Sequence, residues 1–236
     1  MGEPRQLGGL TCSQLDGDGP TLLVPIGSIE QHGPHLPLDT DTRIADAVAR
    51  AAASELGAAF VVAPPISYGS SGEHQGFAGT ISIGTPALTA LLVEYGRSAC
   101  DWATRLVFVN GHGGNVDALR RAVGLLRAEG RDAAWCSPAV RQGGDAHAGH
   151  TETSVLLHLS PQLVRAGECR PGNTAPLADL MPQLRAGGVR SVSESGVLGD
   201  PTTATAADGK RFFAEMAGDC IGRVRRWCPQ REGMLT

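Results

Sequence analysis

Short, unbroken apolar runs alternate along the chain with longer segments in which apolar residues recur every three or four positions. The runs are residues 21–26 (TLLVPI), 58–63 (AAFVVA), 106–109 (LVFV) and 133–136 (AAWC). Each is too short for a helix and is bounded by Gly, Pro or polar residues, which predicts strands buried on both faces. Between them, residues 41–56 carry Ile44, Ala47, Val48 and Ala51 at helical spacing and stop at Gly57. Thr85 and Pro86 open a second helix, the Thr as cap and the Pro at the first position, with a stripe of Leu88, Leu91, Leu92, Tyr95, Ala99 and Trp102. A third shows Val116, Leu119, Val123 and Leu126 and stops at Gly130; a short one runs to His158. The last is predicted from about Lys210 to Trp227, with Phe213, Met216, Cys220, Val224 and Trp227 inward. Residues 167–208 are rich in Gly, Pro, Ser and Thr and carry only a weak helical pattern at 177–184. Strand-to-helix alternation repeated four times predicts an α/β fold, a mainly parallel sheet covered on both faces, in one domain spanning 1–236. Residues 1–19 read as a loose arm or edge strand, and 229–236 as a frayed tail.

The polar residues fall where such a sheet would gather them. Glu30 and His32, with Asp39 and Asp41, follow the first strand; Glu73 and His74 the second; the NGHGGN run around His112 the third; and the His-rich turn at 143–153, with His147, His150 and Glu152, the fourth. Parallel strands deliver these connections to one edge, where ligands bind in open α/β sheets.

Carboxylates and imidazoles together suit zinc, manganese or ferrous iron. Pro34 and Pro37 bar a helix between Glu30 and Asp41, so the segment can fold back on itself. The rival reading is an acidic surface loop. His112, set among glycines, reads as a metal ligand on a strand-to-helix turn or as part of an anion cradle at a helix N-terminus; the latter would make a non-catalytic nucleotide-binding protein. Glu152 shares a helical face with Val155, Leu156 and Leu159, so its carboxylate points inward and needs a cation, a cluster of donors or a raised pKa, a metal being the simplest partner; alternatively it caps its own helix. His147, with small neighbours, reads as a ligand, a proton-transferring acid/base or a hydrogen-bonded loop residue. His35, His74, His150 and Glu73 are less determined, and His158 reads as structural. Five candidates, Glu30, His32, Asp41, His112 and Glu152, exceed the three protein ligands of a single catalytic zinc and suit a metal pair, which supplies a nucleophile at neutral pH and polarises a carbonyl.

Composition narrows the class without selecting the chemistry. Apolar content of 42% supports a core, and a net charge of −4 gives no general attraction to nucleic acid. Aromatic content of 4% argues against stacking platforms for single strands. Six cysteines without a C-x-x-C pair read as reduced thiols of a cytoplasmic protein, and no apolar run approaches membrane-spanning or signal-peptide character.

The segments GSIEQHGPHLPLDTD, EHQGFAGT, NGHGGN and HAGHTETS, in this order, resemble the creatininase (creatinine amidohydrolase) family, and SGVLGDPTTAT is similar to the family's late segment. The resemblance implies a three-layer α/β/α sandwich, a dinuclear metal site, hydrolysis of unusual C–N bonds and a homo-oligomer. It places Glu30, His32, Asp41 and His112 on metal ligands, Asp41 as the bridge and Asp39 beside the motif, and His147 on the proton donor. Creatininase itself takes its last ligand from a carboxylate near the NGH motif. That position is Gly114 here, which argues against creatinine turnover, and the resemblance assigns the role to Glu152. HAGHTETS, with His150 where most relatives carry Glu, resembles the branch that processes the mycofactocin precursor peptide and implies release of its modified C-terminal Val-Tyr dipeptide, with Fe2+ and Zn2+ as the metals and Mn2+ as an alternative. The rival substrates are creatinine, a formamide or a cyclic amide.

Overall fold

The computed structural model describes residues 2–15, 17, 19–140 and 144–236. Gly143, which opens the His-rich turn, lies outside the described residues. β1 (Arg5–Gln6), β2 (Thr21–Ile26), β3 (Phe60–Val62), β4 (Arg105–Asn110) and β5 (Ala133–Cys136) form one parallel sheet in the order β1-β3-β2-β4-β5. β2 is central. It pairs with β4 along its whole length, from Thr21 opposite Arg105 to Ile26 opposite Asn110.

Why the runs are continuous is visible in the two cores. Leu22, Val24 and Ile26, with Leu106 and Phe108, face one layer; Leu23, Val107 and Val109 face the other. Alternate residues of the central β2 and β4 runs are therefore buried on opposite faces, so no polar position is left between Leu22 and Ile26 or between Leu106 and Val109. α2 (Gly84–Ala99) and α3 (Val116–Ala128) cover the first face, and α1 (Thr40–Leu56), α4 (His150–Leu159) and α6 (Ala206–Arg226) the second. This is the three-layer α/β/α sandwich. α5 (Leu177–Gly187) lies outside both layers and buries only Leu180. No helix is long and apolar enough to cross a membrane.

Several details differ from the sequence reading. α6 begins at Ala206, where the Thr205 hydroxyl accepts a hydrogen bond from the Asp208 amide, and Phe212 rather than Phe213 is the buried ring. Leu91 and Trp102 are exposed; α2 instead turns Leu88, Leu92, Val93, Gly96 and Ala99 inward. The tail is not frayed. Leu235 is fully buried in the α1/α4/α6 core, Trp135 donates its backbone amide to the Gly233 carbonyl, and the Leu235 amide donates to Trp135. A single buried leucine with two backbone bonds carries no periodicity to read.

β2 leads through α1 to β3 on one side, and β4 leads through α3 to β5 on the other, with α1 and α3 on opposite faces. The strand order reverses between them, which opens a crevice at the carboxyl ends of β2 and β4. Residues 27–39 follow β2 and residues 111–115 follow β4 at this edge.

Candidate metal centre

Glu30 and His32 leave the end of β2, Asp41 stands in the first turn of α1, His112 leaves the end of β4, and Glu152 stands in the first turn of α4. Gly111 brings two of these together. A Cβ there would sit 2.5 Å from the Asp41 carbonyl, so only glycine lets the end of β4 pack against the start of α1. The predicted five gather into two overlapping groups: Glu30, Asp41 and His112 in one, and His32, Asp41 and Glu152 in the other. A third grouping joins Glu30, His32 and His147. Asp39, by contrast, is held outside by Arg43 at 2.7 Å.

Asp41 is common to the two main groups and divides its oxygens between them. Oδ1 lies 3.0 Å from His32 Nε2, and Oδ2 lies 3.1 Å from His112 Nδ1. The Ser28 hydroxyl donates to Oδ2 at 2.7 Å and fixes the carboxylate plane. Each imidazole is turned by its other nitrogen. His32 Nδ1 donates to the Glu30 carbonyl at 3.2 Å, leaving Nε2 facing Asp41 and Glu152. His112 Nε2 lies 3.2 Å from the Ser70 carbonyl and 3.3 Å from Glu73, leaving Nδ1 facing Glu30 and Asp41. Such outer partners set the tautomer of a ligating histidine.

Glu30 supplies the test of whether a cation fits. Its side chain is 0% exposed and neither oxygen receives a hydrogen bond, although imidazole nitrogens of His112, His74 and His147 lie 3.1, 3.3 and 3.5 Å away. An uncompensated buried carboxylate costs several kcal/mol. Bonds of about 2.0–2.2 Å to a shared ion would put its ligand atoms about 3.3–3.6 Å apart, slightly wider than the 3.0–3.1 Å that separates Glu30 and Asp41 from His112 and Asp41 from His32. The protonation balance agrees. Burial, then the Asp41 charge, pushes Glu30 up to about 8; burial and Asp41 likewise bring Glu152 to about 7. Burial opposes protonation of His32, but Asp41, Glu152 and Glu30 outweigh it and push its pKa up to about 10. Glu30 and Glu152 are drawn towards their protonated forms, while Asp41 stays charged between His32 and His112, whose pKa values it helps to raise, as expected where a site is short of positive charge.

The Glu152 side chain is held by the loop before α4 and faces the cluster; the cap position of α4 is Gly149, which receives no side-chain hydrogen bond among the described residues. Oε2 accepts the Ala148 amide at 2.6 Å and also lies 3.9 Å from His32 Nε2. His147 packs its ring on His32 and His74, with centroids 4.3 and 4.5 Å apart. Its backbone pairs with Leu198, which explains one contact of the long 167–208 segment: it props the wall that carries His147. The Ala148 backbone that follows is left-handed, with φ 52°, an uncommon state for a residue with a side chain.

His74 is the participant the sequence left open. Nδ1 accepts from the Gln31 side-chain amide at 2.9 Å, which puts the ring proton on Nε2, 3.3 Å from Glu30 but not aligned for a hydrogen bond. His35, His150 and His158 stand apart: His35 on Thr153, His150 on Thr203, and His158 against Phe213. Gly114 is closed to a larger residue, since a Cβ would come within 2.5 Å of His112 Nε2 and 2.6 Å of Glu73. No carboxylate can reach the cluster from that position, and Glu152 on α4 faces it instead.

The sequence profile of the creatininase family, described as creatinine amidohydrolase, matches residues 11–224. This chain belongs to the creatininase family. It is 66% identical over 239 residues to the mycofactocin precursor peptide peptidase of Mycobacterium tuberculosis, covering 98% of this chain and 95% of that protein. Among solved structures, a mutant creatininase in a Zn–Zn form superposes with a TM-score of 0.78 at 26% identity, and a Mn creatininase with 0.79 at 25%; each comparison covers 97% of this chain and 100% of the other. As a creatininase-family protein with grouped ligand side chains, the chain is a metal-dependent hydrolase of amide or peptide bonds.

Proposed function

We propose that this chain is a dinuclear peptidase that cuts the mycofactocin precursor peptide and releases its modified C-terminal Val-Tyr dipeptide. The substrate rests on the 66% identity to a protein of that name. The metal pair rests on one observation above the others, that Asp41 turns one oxygen to each of two ligand groups. In this reading Glu30, Asp41 and His112 hold one ion, and His32, Asp41 and Glu152 the other. An all-N/O donor set suits Fe2+ and Zn2+, and Mn2+ equally. The whole chain acts as one domain, cytoplasmic and homo-oligomeric.

When bound, the ions supply the Lewis acidity that activates water and polarises the scissile carbonyl. The protein's own part is orientation and proton transfer. Burial, reinforced by the charges of His32 and His74, holds the His147 pKa well below its ordinary value and keeps the ring neutral. Its Nε2 meets the Gln31 carbonyl at 2.8 Å and the Gln31 amide nitrogen at 3.1 Å; the shorter contact assigns the proton to Nε2. Nδ1 is then the free base, and it faces Glu30 at 3.5 Å. It accepts a proton as the amide is attacked and delivers it to the leaving nitrogen. His74 and Gln31 hold Glu30 and His147 in register for this exchange.

The test is turnover of the modified precursor by metal-loaded protein, set against creatinine, formamides and cyclic amides. Release of the dipeptide with no turnover of the small amides is expected. Faster turnover of a small amide than of the peptide, or full activity after thorough metal stripping, would overturn the proposal.

A further inference from the structure

The cluster opens into a cavity of about 550 Å³ whose outer wall is α5. Leu177, Met181 and Leu184 stand on one face of that helix and line the cavity. The next residue, Arg185, lines it too and also lines a second cleft of about 480 Å³, where it stands with Arg190. Glu73, Leu184 and Arg185 are common to both spaces, so the cleft continues the cavity outward.

The cleft carries more positive charge than its own acids answer. Arg185 has no hydrogen bond or ion pair among the described residues. Arg190 donates to the Gly76 carbonyl at 2.7 Å and lies over the Phe77 ring, with no carboxylate beside it among the described residues. Glu73 is the one acid lining the cleft, and it is drawn to His112.

The product gives the space a direction. Only a dipeptide lies beyond the scissile bond in the reading above, so the long part of the substrate is the chain before it, and the cleft that continues the cavity past Glu73 and Arg185 is where that chain can run. We propose that the cleft is an exosite for a carboxylate-bearing stretch of the peptide substrate N-terminal to the scissile bond, recognised by Arg185 and Arg190. This rests on the peptidase reading above. A guanidinium suits a carboxylate, and charges at a rim select partners and speed encounter.

The experiment uses metal-loaded full-length protein and two labelled peptides methylated at the scissile nitrogen, so that they bind without being cut. One carries a run of Asp and Glu before the scissile bond; its isologue carries Asn and Gln. Anisotropy should show the acidic peptide binding roughly tenfold tighter, a preference that shrinks as salt rises from about 0.05 to about 0.5 M. Arg185→Glu should abolish the preference and Arg185→Lys should keep most of it. Equal binding of the two peptides, or a preference that survives Arg185→Glu, overturns the exosite. Unmethylated peptides are followed in parallel for cleavage. With the modified Val-Tyr end on both peptides, preference without cleavage would sink the peptidase reading and the exosite with it, leaving only an acidic-peptide site at the cleft, whereas cleavage without preference sinks the exosite alone.

Discussion

Replacing Asp41 by Asn keeps the shape of the side chain and removes the one carboxylate that faces both ligand groups. Ser28 can still donate to the remaining oxygen, and α1 keeps its packing through Ile44, Ala45 and Val48, so the fold is expected to survive. The loss falls on the ions. Binding of a structural zinc is worth roughly 10–16 kcal/mol, or about 3–4 kcal/mol for each of four ligands. One ligand removed therefore weakens an ion by about two to three orders of magnitude. Asp41→Asn takes a ligand from both ions, and Glu152→Gln takes one from the His32 side alone. After equilibration at a fixed free zinc concentration and removal of unbound metal, elemental analysis should find two ions per chain in the wild type, one in Glu152→Gln and close to none in Asp41→Asn. Two ions retained by Asp41→Asn, or a loss of both in Glu152→Gln, would refute the shared-carboxylate arrangement.

Other variants probe separate parts of the structure. His147→Gln should keep both ions and lower turnover by about 10²–10⁴-fold, as loss of an acid/base group does; a drop in metal content instead would make it a ligand. Burial, with the His32 charge, depresses the His35 pKa to about 4, so the unfolded chain binds the extra proton between pH 6.5 and 4. Metal-free protein should therefore lose stability as pH falls through that window, by up to about 3 kcal/mol, and His35→Gln should flatten the slope in urea titrations; a wild-type profile in that variant would remove the assignment. Leu235→Ala should lower unfolding stability by about 2–5 kcal/mol, and no change would mean that the tail is as loose as its sequence suggests.

Four of the strands were legible because they are buried on both faces and so carry apolar runs; β1, the polar pair Arg5–Gln6 at the edge, carries none. The five ligand candidates were legible because the parallel topology sends Glu30, His32, Asp41, His112 and Glu152 to one edge. What escaped depends on contacts with no period. Glu73 and His74 sit in a long connection, and their roles come from His112, Gln31 and Glu30 meeting them in space. Phe212 and Phe213 are adjacent, and choosing between them needs the rotation of α6, which packing on α4 and α1 decides. Leu91 reads as part of a stripe, yet α2 turns it to solvent. The tail is held by Leu235 alone among its buried hydrophobic side chains.

The most direct measurement is anomalous diffraction from crystals of the metal-loaded protein, collected at the edge of the metal supplied. Two peaks about 3.5–4 Å apart are expected, one among Glu30, Asp41 and His112 and one among His32, Asp41 and Glu152, with the Asp41 carboxylate between them. A lone peak, or peaks away from these side chains at full metal occupancy, would contradict it.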